Sequence, residues 1–391
     1  MQQRDHLAAM SEADPKRRRS APPPPLPLPP QVALVLQGGG ALGSFQGGIY
    51  EALHEASIEI DWVAGISIGA VNAAIIAGNP PERRLARMKE FWAIVTSALP
   101  SFPIPFVHDQ MREALNEWSA ALVATGGVPG FFSPGPWAAC DGDPRHDRGA
   151  ELLRHDPACR DAERPRRLGS AQRRGGALSV GAVEIESGNF RFFDTRHDRI
   201  DHRHIMASGA LPPGLPPVEI DGKWYWDGGV VSNTPLSHVL DNQTEDMLIF
   251  QVDLFSSKGA LPRTMMDVAA RAKEIQYSSR TRTISDQLMK ARKRREVAQR
   301  VLAKLPPELQ DDPDVKELTA IAHENAVALV QLIYRANAWE GGSRDYEFSE
   351  RTRVEHWQAG RDAVARTISN SAVLAKDISG RKTMAFDLNR P

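Results

Sequence analysis

Residues 31–43, QVALVLQGGGALG, decide how the chain begins to fold. The first six residues form a short, continuous apolar run, which is typical of a strand buried on both faces of a sheet. A glycine-rich loop follows, and after it Phe45, Ile49 and Leu53 recur at helical spacing. The stretch therefore predicts a buried strand, a bare loop and a helix that ends near Ala56.

The same order of elements repeats directly afterwards. The run DWVAGI predicts a second buried strand, and IGAVNAAIIAGN predicts a helix of small residues that closes at Gly78, Asn79 and Pro80. Strand, helix, strand and helix within about 50 residues predict parallel strands joined by a right-handed crossover. We therefore expect an α/β fold, with a three-layer α/β/α domain around a mainly parallel central sheet.

Later segments predict antiparallel additions to this sheet. ALSVGAVEIESGNFRFFDT (177–195) indicates a β-hairpin around Ser187-Gly188, and PVEIDGKWYWDGG (217–229) indicates another that turns at Asp221-Gly222. MLIFQVDLF (247–255) then returns to the pattern of a buried strand.

From about Met265 the pattern becomes helical. The last predicted helix carries a set of apolar residues on one face: Val315, Leu318, Ala322, Ala326, Leu329 and Ile333. We expect three parts: a disordered leader rich in proline and arginine at 1–30, the α/β domain at 31–255, and a helical C-terminal extension at 256–391.

The composition argues against several classes of protein. The chain has 391 residues and a formal net charge of −1, so its overall charge gives no reason to expect nucleic-acid binding. It contains no apolar run of about 18 residues, and its first residues lack the apolar centre of a secretory signal. The two cysteines, Cys140 and Cys159, form neither a disulfide framework nor a metal-binding cluster. We expect a cytoplasmic protein.

One segment, residues 138–175, fits no element of this fold. It contains nine arginines and no lysine, and it lacks Val, Ile, Phe, Tyr, Trp and Met, so it cannot build much core. Two interpretations stand side by side. The segment is a charged, disordered insertion, or it is the product of a compensated frameshift, because GC-rich codons read out of frame yield this composition.

A serine follows the second predicted strand in the sequence GISIG, residues 65–69, which has the form G-x-S-x-G. A sharp turn from strand to helix would lift the hydroxyl of Ser67 away from the backbone and place it at a helix N-terminus, where developing negative charge is stabilised. Gly65 and Gly69 leave room for the turn. The alternative is that Ser67 merely caps the helix.

The glycine loop has two interpretations. Gly38 to Gly43 formally satisfies the dinucleotide pattern G-x-G-x-x-G, with Glu59 and Asp61 about 20 residues further on. However, parallel strands in one crossover unit end at the same edge of the sheet, so the loop would lie beside Ser67. Backbone N–H groups of Gly38, Gly39 and Gly40 would then form an oxyanion hole, and this second interpretation is favoured.

A nucleophilic serine needs a base, and histidine is the usual one. None of the chain's eleven histidines, among them His204 and His238, lies in a sequence that suggests a catalytic loop. Asp227 is the better candidate, because burial against Trp224 and Trp226 would raise its proton affinity. On its own, Asp227 would be read equally well as part of an Asp-Gly-Gly turn.

Three motifs together resemble the patatin-like phospholipase family: QGGGALG, GISIG and ASGALPPGLPPVEIDGKWYWDGG. They occur in the family's order. The resemblance implies an α/β/α serine hydrolase of phospholipase or lysophospholipase type, which acts on lipid acyl esters without histidine, metal or cofactor. It implies Ser67 as the nucleophile, Asp227 as the base, and Gly38, Gly39 and Gly40 as the oxyanion hole, with motif support from Gly65, Gly69, Gly228 and Gly229.

The sequence also departs from the family's pattern. Gln37 stands where the family often has Asp, and Leu42 stands where it has Arg or Lys, which removes a positive charge that would help to bind an acidic head group. The region from about 265 resembles a C-terminal extension in a bacterial subgroup. The family's segment near the active site corresponds to the residues that follow Met206.

Two other functions remain open on the sequence alone. One is a non-catalytic lipid-binding or regulatory protein on the same scaffold, and the other is a dinucleotide-dependent enzyme. Peripheral membrane contact is a further expectation, through the basic stretch KARKRRE at 290–296 on a predicted helix. The alternative is that this stretch is a solvated helix face.

Overall fold

The structure is a computed structural model that describes residues 28–97, 109–128, 176–259, 261–322, 325–337, 339–370 and 384–387. Most of the expected leader and the whole of the arginine-rich segment 138–175, with both cysteines, lie outside the described residues.

Nine strands form a single sheet within the described residues, in the spatial order β5-β6-β3-β2-β1-β7-β8-β9, with β4 paired to β3. The six consecutive strands from β3 to β9 in this order, β3, β2, β1, β7, β8 and β9, run parallel to one another. Their bounds are β1 Gln31–Leu36, β2 Trp62–Gly65, β3 Ala177–Glu184, β4 Phe190–Asp194, β5 Val218–Ile220, β6 Lys223–Asp227, β7 Met247–Asp253, β8 Val327–Ile333 and β9 Met384–Phe386. The expected mainly parallel sheet is confirmed.

Both predicted hairpins are present as antiparallel pairs. β3 pairs with β4 around the turn at Ser187-Gly188, and β5 pairs with β6 around Asp221-Gly222. Asp221 and Gly222 both have positive φ, at 52° and 81°, as a tight two-residue hairpin turn requires. β6 also pairs antiparallel with β3, which brings Asp227 opposite Ala182.

Helices cover both faces of the sheet. The α-helices are α1 Gly43–Glu55, α2 Ile68–Gly78, α3 Pro81–Thr96, α4 Asp109–Gly126, α5 His202–Gly209, α6 Leu236–Asp241, α7 Met265–Leu302, α8 Pro313–Ala322 and α9 Glu350–Ser369. Leu34 and Leu36 of β1 face the layer that contains α1, α2, α3 and α9. Ala33 and Val35 point the other way, towards α6, because successive side chains alternate along a strand.

The C-terminal region is largely helical, as expected, but the predicted helix that reaches Ile333 is wrong. α8 ends at Ala322, and the residues from Val327 form β8, which pairs parallel with β7 along its whole length. The run VALVQLI is apolar except for Gln331. Its helical spacing with the residues before it is coincidental, because a short apolar run occurs in buried strands and in buried helices alike. The region after residue 255 therefore extends the central sheet.

α9 holds the C-terminal region against the first crossover helix. Gly47 and Gly48 of α1 lie against Trp357 of α9, and a Cβ atom at Gly48 would overlap the backbone carbonyl of Trp357. The Trp357 indole donates to Glu51 Oε2 at 2.6 Å, and Arg361 pairs with the same carboxylate at 2.7 Å. The two helices thus pack at close backbone distance, and the bonds of Trp357 and Arg361 to Glu51 lie beside this contact. Among the described residues, every helix is too short or too polar to traverse a lipid bilayer.

We expect Gly48→Ala to destabilise the protein by about 1–3 kcal/mol, because the added methyl group forces α1 and α9 apart. Gly78→Ala at the end of α2 is the matched control, since nothing lies within 4 Å of its added Cβ atom. The free energy of unfolding of Gly78→Ala should equal that of the wild type or exceed it by up to about 1 kcal/mol. Urea unfolding measures both, and equal midpoints for the two variants would contradict the close packing.

Candidate active site

Ser67 lies at a sharp turn between β2 and α2. Its φ of 56° and ψ of −126° are unusual for a residue other than glycine, and they place it immediately before the helix that starts at Ile68. A Cβ atom at Gly65 would overlap the backbone of Gly69, and one at Gly69 would overlap the carbonyl of Leu36. The two glycines of GISIG are therefore required for the turn to pack against β1.

The backbone of Ser67 is held from the far side by Ser208 on α5. The Ser67 N–H donates to Ser208 Oγ at 3.0 Å, and that hydroxyl donates to the carbonyl of Gly181 in β3 at 2.7 Å. The segment after Met206 thus reaches the serine turn, as the resemblance implied. Ser208 itself was not identified from the sequence, because its bonding partners lie 141 and 27 residues away along the chain.

The glycine loop, residues 37–43, lies directly beside the serine turn. A Cβ atom at Gly38 would lie 2.9 Å from Ser67 Cβ, so only glycine permits this approach. Asn233 holds Gly38 twice: the Gly38 N–H donates to the Asn233 carbonyl at 3.2 Å, and Asn233 Nδ2 donates to the Gly38 carbonyl at 2.9 Å. Asn233 is a second site residue that sequence reasoning missed.

These bonds distinguish the three glycines. The N–H of Gly38 is engaged by Asn233. Within the described part of the chain, the N–H groups of Gly39, Gly40 and Ile68 donate to no acceptor. Ile68 is the first residue of α2, where the helix leaves its initial N–H groups unpaired. Unpaired donors are therefore present in the loop after β1 and at the first residue of the helix that follows Ser67.

Gln37 anchors the loop to the end of β7. Its side-chain oxygen accepts from the N–H of Leu254 at 2.6 Å, and its amide nitrogen donates to Thr234 Oγ1 at 3.1 Å. An aspartate at this position could accept the first bond but not donate the second. Leu42, by contrast, is fully buried in the apolar core, so position 42 does not face an open site.

Asp227 is buried beside Ser67, with 1% of its surface exposed. It accepts a hydrogen bond from the N–H of Gly229 at 2.7 Å. Burial raises the pKa of Asp227 to about 7, and the Gly229 N–H and the nearby Ser67 hydroxyl oppose the rise. A carboxyl group in this state can exchange a proton with the serine near neutral pH.

The expected source of this burial was wrong. Trp224 and Trp226 alternate with Asp227 along β6, so they lie on the opposite face, and Trp224 is 43% exposed. Tyr225, on the same face as Asp227, is buried. Asp227 is enclosed by the neighbouring strand β3 and by the turn that begins at Gly228. Gly228 lies against the carbonyl of Gly181 and the ring of Phe190.

The two histidines that the sequence singled out within the described residues are engaged elsewhere. His238 Nε2 lies 3.0 Å from Asp194 Oδ2, and its ring stacks on Phe192. His204 Nδ1 lies 2.9 Å from Asp201 Oδ1 at the start of α5. Each of these two rings therefore has an aspartate partner of its own, Asp194 or Asp201.

The acidic residues that a dinucleotide site requires are at the wrong edge of the sheet. Asp61 precedes β2, and its carboxylate accepts from the N–H of Val32 at the start of β1 at 2.8 Å. The glycine loop follows the end of β1, at the opposite edge. In the described ranges, no cluster of three or more His, Cys, Asp and Glu side chains is arranged to hold a metal ion.

Sequence comparison is consistent with this arrangement. A family model described as patatin-like phospholipase matches residues 34–240, more than half of the chain. The chain belongs to the patatin-like phospholipase family. A second model, described as patatin phospholipase, matches residues 275–378 of this patatin-like chain. The C-terminal region therefore also carries features of the family.

Two relatives illustrate the range of similarity. The patatin-like chain is 24% identical over 245 residues to the lysophospholipase NTE1 of Cryptococcus neoformans, a match that covers 61% of this chain and 12% of the relative. It is 29% identical over 215 residues to an uncharacterized NTE family protein of Mycobacterium tuberculosis, covering 52% of this chain and 27% of that protein. The chain spans only a minor part of the length of these curated relatives.

Among solved structures, human GIVD cytosolic phospholipase A2 is similar at 11% identity, with a TM-score of 0.44. The match covers 90% of this chain and 60% of the human protein.

We expect Asp227→Asn to be more stable than the wild type at pH 8, and the difference to shrink as the pH falls towards 4. The folded-state pKa lies above the unfolded value of 3.8, so burial of Asp227 costs stability as the pH rises through about 7. The gain at pH 8 is at most about 4 kcal/mol. Urea unfolding at pH 5 and pH 8 measures it.

Asp253→Asn is the comparison variant, because burial also raises the pKa of Asp253 to about 7. It should show the same direction of pH dependence. A stability difference between Asp227→Asn and the wild type that does not change with pH would show that the pKa of the Asp227 carboxyl is not raised.

Proposed function

We propose that this protein is a serine lipid acyl hydrolase of phospholipase or lysophospholipase type, with Ser67 as nucleophile and Asp227 as general base. The observation that carries the proposal is the proximity of the Ser67 hydroxyl, at its sharp turn, to the buried Asp227 carboxyl, whose pKa burial raises to about 7. Membership of the patatin-like phospholipase family and the similarity to proteins named lysophospholipases support the substrate class.

In the first half of the proposed reaction, Asp227 takes the proton of the Ser67 hydroxyl while its oxygen attacks the carbonyl carbon of a fatty ester. The carbonyl oxygen becomes negatively charged and is stabilised by the N–H groups of Gly39 and Gly40, with that of Ile68 available from the helix. Asp227 then gives the proton to the leaving alcohol, which leaves an acyl group on Ser67.

In the second half, water replaces the alcohol. Asp227 accepts a proton from water, the hydroxide oxygen attacks the acyl carbon, and the proton returns to Ser67 as the fatty acid departs. Gly38 has a different role in this scheme from the one expected. Since its N–H is bonded to Asn233, it provides the close approach to Ser67, and Gly39 and Gly40 provide the donors.

We place the nucleophile, the base and the oxyanion donors within 31–255, and none of these three roles falls to the extension at 256–391. The basic stretch at 290–296 lies away from this site. Arg271, near the start of α7, donates to the carbonyl of Ser257 after β7, whereas Arg292 donates to the carbonyl of Asn325 before β8. An anionic membrane bound at that stretch would therefore face the edge of the sheet opposite Ser67.

We expect Ser67→Ala to reduce hydrolysis of a short-chain nitrophenyl ester and of lysophosphatidylcholine to background, because it removes the attacking oxygen. Asp227→Asn should lower kcat by about 10²–10⁴-fold, because the amide cannot accept the serine proton. Ser187→Ala and Asp221→Asn, both in hairpin turns, are matched controls that should keep wild-type rates. A fluorophosphonate probe should modify Ser67. Full activity in Ser67→Ala or in Asp227→Asn would contradict the proposed roles of these two residues.

We expect kcat/KM for the ester to rise with pH and to level off above an apparent pKa of about 7. The physical reason is that Asp227 must be unprotonated to accept the serine proton, and its pKa is raised to about 7 by burial. A steady-state pH profile from 5 to 9 measures this. A profile that is already flat from pH 5 would exclude Asp227 as the titrating base.

A non-catalytic lipid-binding protein is the remaining candidate on this scaffold. It predicts that lysophospholipid binds with no turnover and that the fluorophosphonate probe leaves Ser67 unmodified. The proximity of Ser67 to Asp227 favours the hydrolase, because a binding site has no need of a buried carboxyl group beside a serine hydroxyl.

A further inference from the structure

The C-terminal region reaches the glycine loop through the 3₁₀ turn Arg344–Tyr346, called here the 344–346 turn. Gly40 has a φ of +54°, and a Cβ atom there would overlap the backbone carbonyl of Asp345. The carbonyl therefore rests against the Cα of Gly40, on the loop that carries the candidate oxyanion donors. Only glycine satisfies both the left-handed backbone and this close contact.

Two neighbouring residues of α7 hold the 344–346 turn in place. The Lys273 ammonium forms an ion pair with Asp345, and the Glu274 carboxylate forms one with Arg344. Both partners on the turn are largely removed from water, since the side chains of Asp345 and Arg344 are each 10% exposed. Ion pairs in such surroundings are screened much less than surface pairs.

Other elements complete the support. On the α4 side, Glu117 Oε1 accepts from the N–H of Ser343 at 3.0 Å, and Ser119 donates to Glu347 at 3.0 Å. On the sheet side, Arg271 of α7 donates to the carbonyl of Ser257 at 2.5 Å, just after β7. The turn is therefore fixed between α4 and α7, and α7 is tied to the strand end that also holds Gln37.

Tyr346 is the residue of the turn that contacts the core and interacts with nearby charges. Its side chain packs against the apolar core, and the Lys273 ammonium lies 5.5 Å from the centre of its ring. Burial raises the pKa of the Tyr346 phenol, and the charges of Asp345 and Asp227 raise it further. The phenol is therefore within electrostatic range of both carboxylates.

We propose that Lys273 and Asp345 are positioning residues for the oxyanion hole: their ion pair presses the 344–346 turn against Gly40 and so sets the direction of the Gly39 and Gly40 N–H groups. This inference rests on the proposed hydrolase function. Donors aimed at a developing oxyanion lose effect with small displacements, because their contribution depends on being in place before the reaction. The C-terminal region would thus be part of the catalytic apparatus without contacting the substrate.

We expect Lys273→Met and Asp345→Ala each to lower kcat for the nitrophenyl ester by about 10–100-fold, with KM within about twofold of the wild-type value. The loss falls on kcat because the oxyanion exists only in the transition state. Fluorophosphonate labelling of Ser67 should slow in parallel. The double variant should be about as slow as either single variant, because both changes release the same turn.

Three controls separate positioning from stability. Lys316→Met, which removes the exposed ion pair of α8 with Asp311, should keep the wild-type kcat. Lys273→Arg, which retains the ion pair, should recover most of the lost kcat. Rates are measured well below each variant's unfolding temperature, so a variant that only unfolds more easily keeps its kcat.

Wild-type kcat in both single variants, or losses that multiply in the double variant, would overturn the proposal. Wild-type protein that neither hydrolyses esters nor labels at Ser67 would instead refute the hydrolase function itself, and the positioning role with it.

Discussion

The parallel pairing of β1 with β2 is the constraint on which the candidate site depends. Leu36 pairs with Gly65, so the two strands end at the same level of one edge. The glycine loop leaves the first strand there and the serine turn leaves the second, and the two backbones approach so closely that a side chain at Gly38 would collide with Ser67. The proposed oxyanion site needs both the loop and the turn.

Asp227 is placed by a different pairing and carries an energetic cost. The antiparallel contact of β6 with β3 brings it into the same edge, out of water and without a cationic partner among its bonds. A carboxyl group there is destabilising when charged, and the same property makes it a suitable base near neutral pH. Stability and the proposed chemistry therefore oppose each other at this residue.

The C-terminal region is joined to the rest of the molecule in three ways. β8 and β9 extend the sheet beyond β7, α9 packs on α1 through Gly48 and Trp357, and the 344–346 turn rests on Gly40. The pattern of the sequence predicted a helical extension and so missed the two strands. A continuous apolar run next to a short helix has no feature that tells a buried strand from more helix, and the pairing with β7 decides the matter.

The sequence by itself determined the first crossover, both hairpins, the buried β7 and the identity of Ser67, Asp227 and the glycine loop as candidate residues. These features leave local signals, because apolar periodicity, turn residues and glycines act within a few residues of one another. Only the tertiary structure decided that Ser208 and Asn233 hold the site, that Gly38 is not a free donor, and that Asp345 lies against Gly40. Those contacts join residues from distant parts of the chain, and no local pattern specifies which strand edge or helix face a side chain will meet.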